Sequence, residues 1–146
     1  MPASPSNDIP VFAPNLKALV RAIFERAGWN DRDAALAADH LVLANLSGHD
    51  SHGVGMVPRY MLAAGKGLLK KGATITTVVD AGALLTLDGG MGLGQVVGFD
   101  AMNLAIERAR VHGAGRIVRK EAAMVNAALP PETGKKAWLG TFGNVD

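Results

Sequence analysis

The chain has 146 residues, of which 49% are hydrophobic and 19% charged, with a formal net charge of +2. That length fits one domain able to bury about two thirds of its unfolded surface, so the composition excludes disorder throughout. The weak charge and the 5% aromatic content give no clustered basic face and few stacking platforms for nucleic acid, and the absence of cysteine excludes disulfides and thiolate chemistry.

Residues 1–14 carry four of the seven prolines and are expected to be a flexible arm. They lack a basic start followed by a long apolar run, so no secretory signal is read there. No run approaches the roughly eighteen apolar residues of a membrane span, and a cytoplasmic protein is the expectation. A helix is predicted from about Asn15 to Ala27, because Leu16, Leu19, Val20, Ile23 and Phe24 recur at helical spacing. Asn30 or Asp31 can cap a second helix reaching about Asn45, with Asp33 in its first turn and Ala38, Leu41 and Val42 on its core face.

Ser47 to Val54 is short, polar and glycine-containing, which predicts a loop, and a third helix is expected over Val57–Ala64. Ile75–Val79 and Ala83–Leu87 are rich in β-branched and apolar residues and predict a β-hairpin. A glycine-rich turn, Asp88 to Gly92, leads into a long helix from about Gln95 to His112, with Val96, Phe99, Met102 and Ile106 in register. Gly113 and Gly115 stop it, and Ile117 and Val118 can begin another strand. Residues 122–129 are apolar enough for a short helix, and Trp138 to Asp146 shows no period. The expected fold class is α+β: helices first, then the hairpin, then the long helix. The expected organisation is an arm at 1–14, a domain at 15–115 and a divergent tail at 116–146.

The densest chemistry lies in Ser47-Gly48-His49-Asp50-Ser51-His52-Gly53, between two predicted helices. Sites concentrate on loops held by rigid elements. His52 can exchange a proton near neutral pH, and Ser51 can hydrogen-bond beside it. The plainer alternative is a polar turn whose side chains cap the flanking helices. His49, Asp50 and His52 have ligand chemistry, but zinc needs three or four converging donors and the sequence fixes no convergence with His40 or His112, so no metal is assigned.

Gly89-Gly90-Met91-Gly92-Leu93-Gly94-Gln95 follows a strand and opens a helix, as a phosphate cradle would. Its spacing fails the dinucleotide fingerprint, since the third glycine would fall on Gln95 or Val97, and no Gly-Lys-Ser/Thr follows. A flexible strand-to-helix turn is the favoured reading. Lys66, Lys70 and Lys71 make a small solvated patch; Arg59, seven residues after His52, can bind a carboxylate bidentately, with a plain surface arginine the slightly favoured alternative on spacing alone.

Taken together, Leu46 through Pro58 with its His-Asp-Ser-His-Gly core, Leu85-Thr86-Leu87-Asp88-Gly89, Gly94-Gln95-Val96-Val97, Ala101-Met102, Ala105-Ile106 and His112-Gly113 resemble the type-2 malate/L-lactate dehydrogenases over about residues 12–115. The resemblance implies the N-terminal part of a fold that is not Rossmann, and NAD- or NADP-dependent interconversion of 2-oxo and 2-hydroxy acids. It also implies a homo-oligomer, with no nucleic-acid or membrane partner. By the family motif His52 is the proton donor to the substrate oxygen and Ser51 belongs to its relay. Many members carry a substrate-binding arginine four residues after that histidine. Here the position is Met56, a change that one branch of the family shares, and Arg59 is the candidate substitute. From Arg116 the sequence departs from the family pattern, and members run to well over twice this length. The expectation is therefore a truncated or out-of-frame dehydrogenase, inactive or feeble alone. The alternative is a non-catalytic remnant or oligomerising interaction module.

Overall fold

A computed structural model describes residues 9–120; the proline-rich start through residue 8, the helix expected at 122–129 and the final stretch lie outside that range. The element order is α1 (Ala13–Arg26), α2 (Asp31–Leu46), two short 3-10 turns (Asp50–His52 and Val54–Met56), α3 (Val57–Gly65), β1 (Thr76–Ala81), β2 (Leu84–Asp88), α4 (Gly94–His112) and β3 (Arg116–Lys120). The fold is α+β, with three helices preceding a small mixed sheet and α4 crossing between its second and third strands.

Helix α1 begins at Ala13, so Pro14, expected in the arm, belongs to the first helical turn. Proline suits that turn because its missing N–H would have no intrahelical partner there. The inward stripe is narrower than the pattern predicts: Val20 and Phe24 are buried, whereas Leu19 falls off its edge and is 58% exposed. The chain leaves α1 with Trp29 donating its backbone N–H to the Phe24 carbonyl, 3.1 Å away. That turn stacks the Trp29 ring edge-on to Phe24, with centroids 5.1 Å apart.

Of the two possible caps for α2, Asn30 takes the role. Its side chain accepts the Asp33 backbone N–H at 2.9 Å and donates to the Asp33 carboxylate at 2.9 Å. This reciprocal pair satisfies an orphan donor of the first turn while neutralising the burial of Asp33. Ala34, Ala37, Ala38 and Leu41 then pack α2 closely against α1 and α4. Arg32 of α2 pairs with Asp100 of α4, which ties the two helices at their outer edge.

Strands β1 and β2 are antiparallel, joined by Gly82 and Ala83, with an irregularity between Thr77 and Val79. After α4 crosses over, β3 returns parallel to β2, from Leu84 opposite Arg116 to Asp88 opposite Lys120. The sheet order is β1-β2-β3, so Arg116–Lys120 lie at one edge of the sheet among the described residues. Leu85 and Leu87 on β2 face Ala101 of α4, and Val96, one turn earlier on that helix, joins the helical core. Helix α4 is thus the shared wall of both apolar clusters. Its first turn is buried on every side, from Gly94 to Gly98.

Two outcomes test this packing. Phe24→Ala should destabilise the chain by about 3–5 kcal/mol in denaturant unfolding, and Leu19→Ala by no more than about 0.5 kcal/mol. The second concerns Asp80, whose carboxylate accepts the Gly82 N–H at 3.0 Å and pairs with Arg108 of α4 at 2.6 Å. The Gly82 hydrogen bond first, and Arg108 second, hold its pKa below the ordinary 3.8. A depressed carboxylate contributes stability that is present above pH 3.8 and lost as pH falls through the lower folded value. Thermal melts between pH 6 and pH 2.5 should therefore fall more steeply for the wild-type chain than for Asp80→Asn.

Candidate active site

The His-Asp-Ser-His-Gly segment is held by the end of α2. His49 donates its backbone N–H to the Ala44 carbonyl at 2.8 Å, and Gly48 donates to Asn45 at 2.9 Å. This is a Schellman closure, with Gly48 in the left-handed region at φ +77°. It turns the chain back along the helix it has just left. Asn45 then bridges the returning segment. Its amide oxygen accepts the Val54 N–H at 2.8 Å, and its amide nitrogen donates to the Asp50 carboxylate at 2.6 Å. The amide lies so close to Gly53 that a Cβ there would overlap it. Gly53 is therefore needed for the approach of another group, which its own φ of −88° does not reveal.

With the segment fixed at both ends, Ser51 Oγ lies 2.9 Å from His52 Nδ1. The hydroxyl can donate to or accept from that nitrogen, so it supports either tautomer of the ring. Nε2 is left for proton exchange. His52 is half-buried and lines a small cleft of about 50 Å³ with His40, Leu41 and Ala44 of α2, Met56, Tyr60 of α3 and Gln95 of α4. His52 ends the first 3-10 turn, Met56 ends the second, and Tyr60 lies one turn into α3, so the short turns bring all three to one side.

Ser51 and His52 are brought together. Arg59 is not part of the cleft wall; it is exposed on α3. His49 is exposed, and the Asp50 carboxylate is engaged by Asn45. Among the described residues no three His, Asp or Glu side chains converge in a way that would hold a metal ion. The glycine-rich segment is a tied turn: Gly90 donates to the Asp88 side chain at 2.7 Å, Gly92 donates to the Gly89 carbonyl at 3.0 Å, and Met91 accepts from Lys70 at 2.9 Å. Two of its amides are already used, and Asp88 places negative charge where a phosphate would lie. The described residues therefore do not fit a dinucleotide phosphate at this turn.

Asn45, Tyr60 and Gln95 were not singled out by the sequence pattern. Asn45 reads there only as a helix end. Gln95 did leave a signal: it is a lone amide inside the run Gly92-Leu93-Gly94-Gln95-Val96-Val97-Gly98, where every neighbour is glycine or apolar.

Residues 11–130 match the family model described as malate/L-lactate dehydrogenase. The chain belongs to this family. The match continues past Gly115, where the motif resemblance stops, which agrees with β3 being part of the sheet. The chain is 46% identical to hydroxycarboxylate dehydrogenase B of Escherichia coli over 101 residues, covering 69% of this chain and 28% of that protein. It is 38% identical to L-sulfolactate dehydrogenase of Methanocaldococcus jannaschii over 108 residues, covering 74% of this chain and 31% of the relative. Malate dehydrogenase of Pyrococcus horikoshii superposes with a TM-score of 0.77 at 32% identity, over 80% of this chain and 33% of that structure. The chain thus spans about a third or less of the length of the family relatives it matches.

The Asn45 bridge carries a direct test. Gly53→Ala should displace the Asn45 amide, breaking its bonds to Asp50 and Val54, and destabilise the chain by about 1–3 kcal/mol. Adding Asn45→Ala to Gly53→Ala should cost little more, because one bridge is lost in both. Additive losses in a double-mutant cycle by denaturant unfolding would show that the two residues act separately.

Proposed function

We propose that this chain supplies the proton-transfer side of a nicotinamide-dependent dehydrogenase that interconverts 2-oxo and 2-hydroxy acids. The observation that carries the reading is the Ser51–His52 contact of 2.9 Å, with His52 in the wall of a small cleft. In this reading His52 Nε2 gives a proton to the carbonyl oxygen of a 2-oxo acid as it is reduced, and takes it back from the hydroxyl in the reverse direction. Ser51 holds Nδ1 and exchanges donor and acceptor roles with it. Arg59 anchors the carboxylate. NAD or NADP, the cofactor implied by family resemblance, supplies or accepts the hydride when bound. We place its binding surface in parts of the family fold outside the described residues, because the glycine turn here is internally bonded. On that basis the 146-residue chain by itself turns over substrate feebly or not at all. A homo-oligomer and a cytoplasmic setting belong to the same proposal.

The site is tested by NMR of the purified chain. Pyruvate or L-lactate should shift the His52 ring resonances and leave His112, which lies at the far end of α4, unchanged. His52→Gln should abolish the response of the cleft, and Arg59→Gln should weaken acid binding without removing it. If no 2-oxo or 2-hydroxy acid perturbs His52, the reading fails. Oxidation of NADH with pyruvate at ordinary enzymatic rates, roughly 1–10³ s⁻¹, would instead refute the view that the chain is feeble alone.

A second reading has its own observation. Strand β1 is exposed along its whole length, with Val78 at 54% and Val79 at 50% exposure. Such an apolar edge suits a non-catalytic module that pairs with another chain. Light scattering separates the two: a stable oligomer without acid binding favours the module.

A further inference from the structure

The inference concerns the wall of the cleft opposite the histidine motif, and it rests on the dehydrogenase reading above. Gln95 is only 8% exposed, lines the cleft and donates from its amide nitrogen to the Tyr60 hydroxyl at 2.8 Å. Its amide oxygen is buried and has no hydrogen-bond partner among the described residues. Leaving a buried acceptor unpaired is costly, and native proteins do so rarely. Because the Tyr60 oxygen accepts from Gln95, its own O–H remains to donate. Each group of the pair therefore keeps one hydrogen-bonding function in hand: an acceptor on Gln95 and a donor on Tyr60.

A hydroxyl group is the small ligand group that matches both, donating to Gln95 and accepting from Tyr60. A second carboxylate does not match. It has no proton to give, it would set its charge against the Gln95 oxygen, and no lysine or arginine is among the residues that line the cleft. An apolar side chain leaves the acceptor unpaired. We propose that Tyr60 and Gln95 form a subsite for a hydroxyl on the side chain of the substrate, so that the cleft selects 2-hydroxy acids bearing a second hydroxyl at C3 over unsubstituted acids and dicarboxylates.

The test uses the full 146-residue chain with three probes: glycerate, L-lactate and L-malate. Binding is followed by NMR at the His52 ring and at the Gln95 side-chain amide. Glycerate should bind about three- to tenfold more tightly than lactate, the range of one neutral hydrogen bond, and malate should bind most weakly. Only glycerate should move the Gln95 amide resonances strongly. Gln95→Met keeps the shape and removes the amide, and it should erase the preference, bringing the glycerate-to-lactate affinity ratio to about one. Tyr60→Phe keeps the ring against Phe24 and should reduce the preference as well, which preserves the test if Gln95→Met fails to fold. Equal binding of glycerate and lactate, with His52 responding to both, overturns the subsite and leaves the dehydrogenase reading standing. Failure of all three acids to perturb His52 overturns both.

Discussion

The Asn45 side chain is the point on which the site depends. One amide group, at the end of a well-packed helix, satisfies the backbone of Val54 and the carboxylate of Asp50. Without it, the segment carrying Ser51 and His52 would keep only the Schellman turn at its start, its own short turns and the packing of Val54 and Met56. A catalytic histidine is useful only if its ring keeps a fixed orientation, because proton transfer requires the donor within hydrogen-bond reach of the reacting oxygen. The bridge transfers the rigidity of α2 to the loop. Gly53 is the complement of that bridge, since any side chain there would occupy the space of the amide.

The rigidity of α2 has its own origin. The Asn30–Asp33 pair closes one end, and the Schellman turn at Gly48 closes the other. Between them a run of alanines lets α1 and α4 approach closely. Small side chains bury little area each, so the larger apolar contribution comes from their partners, Phe24 and Trp29 above all. Tyr60 packs its ring 6.1 Å from Phe24 and carries its hydroxyl towards the cleft. The aromatic cluster thus fixes one wall of the site as well as the core, and a loss of packing at Phe24 would be felt at both.

Helix α4 serves the sheet and the cleft at once. Its buried first turn brings Gln95 to the site, and its middle covers β2 through Ala101. The glycines before it are spent on closing a compact turn, and Asp88 caps that turn with a carboxylate. The same stretch that suggests an anion cradle from its glycine content is thereby made unsuitable for one. Composition alone cannot distinguish the two, because what matters is where the backbone N–H groups point and whether they are already engaged.

The sequence by itself determined the class of fold, the helices and the hairpin, because apolar spacing, capping residues and turn residues are local signals. It also determined the Ser51-His52 motif and the family, since an ordered series of short motifs survives without knowledge of packing. What it could not determine was which polar residues share a cavity. Tyr60 of α3 and Gln95 of α4 meet His52 in one cleft, and Asn45 of α2 reaches the loop that carries His52, only through tertiary packing. Arg59 shows the converse, because its closeness to the motif in sequence does not place it in the cleft wall. Likewise Ile117 and Val118 read as the start of a strand, but its parallel pairing with β2 did not show in the sequence. Pairing partners and cavity walls are long-range properties, set by the tertiary structure rather than by the order of residues along the chain.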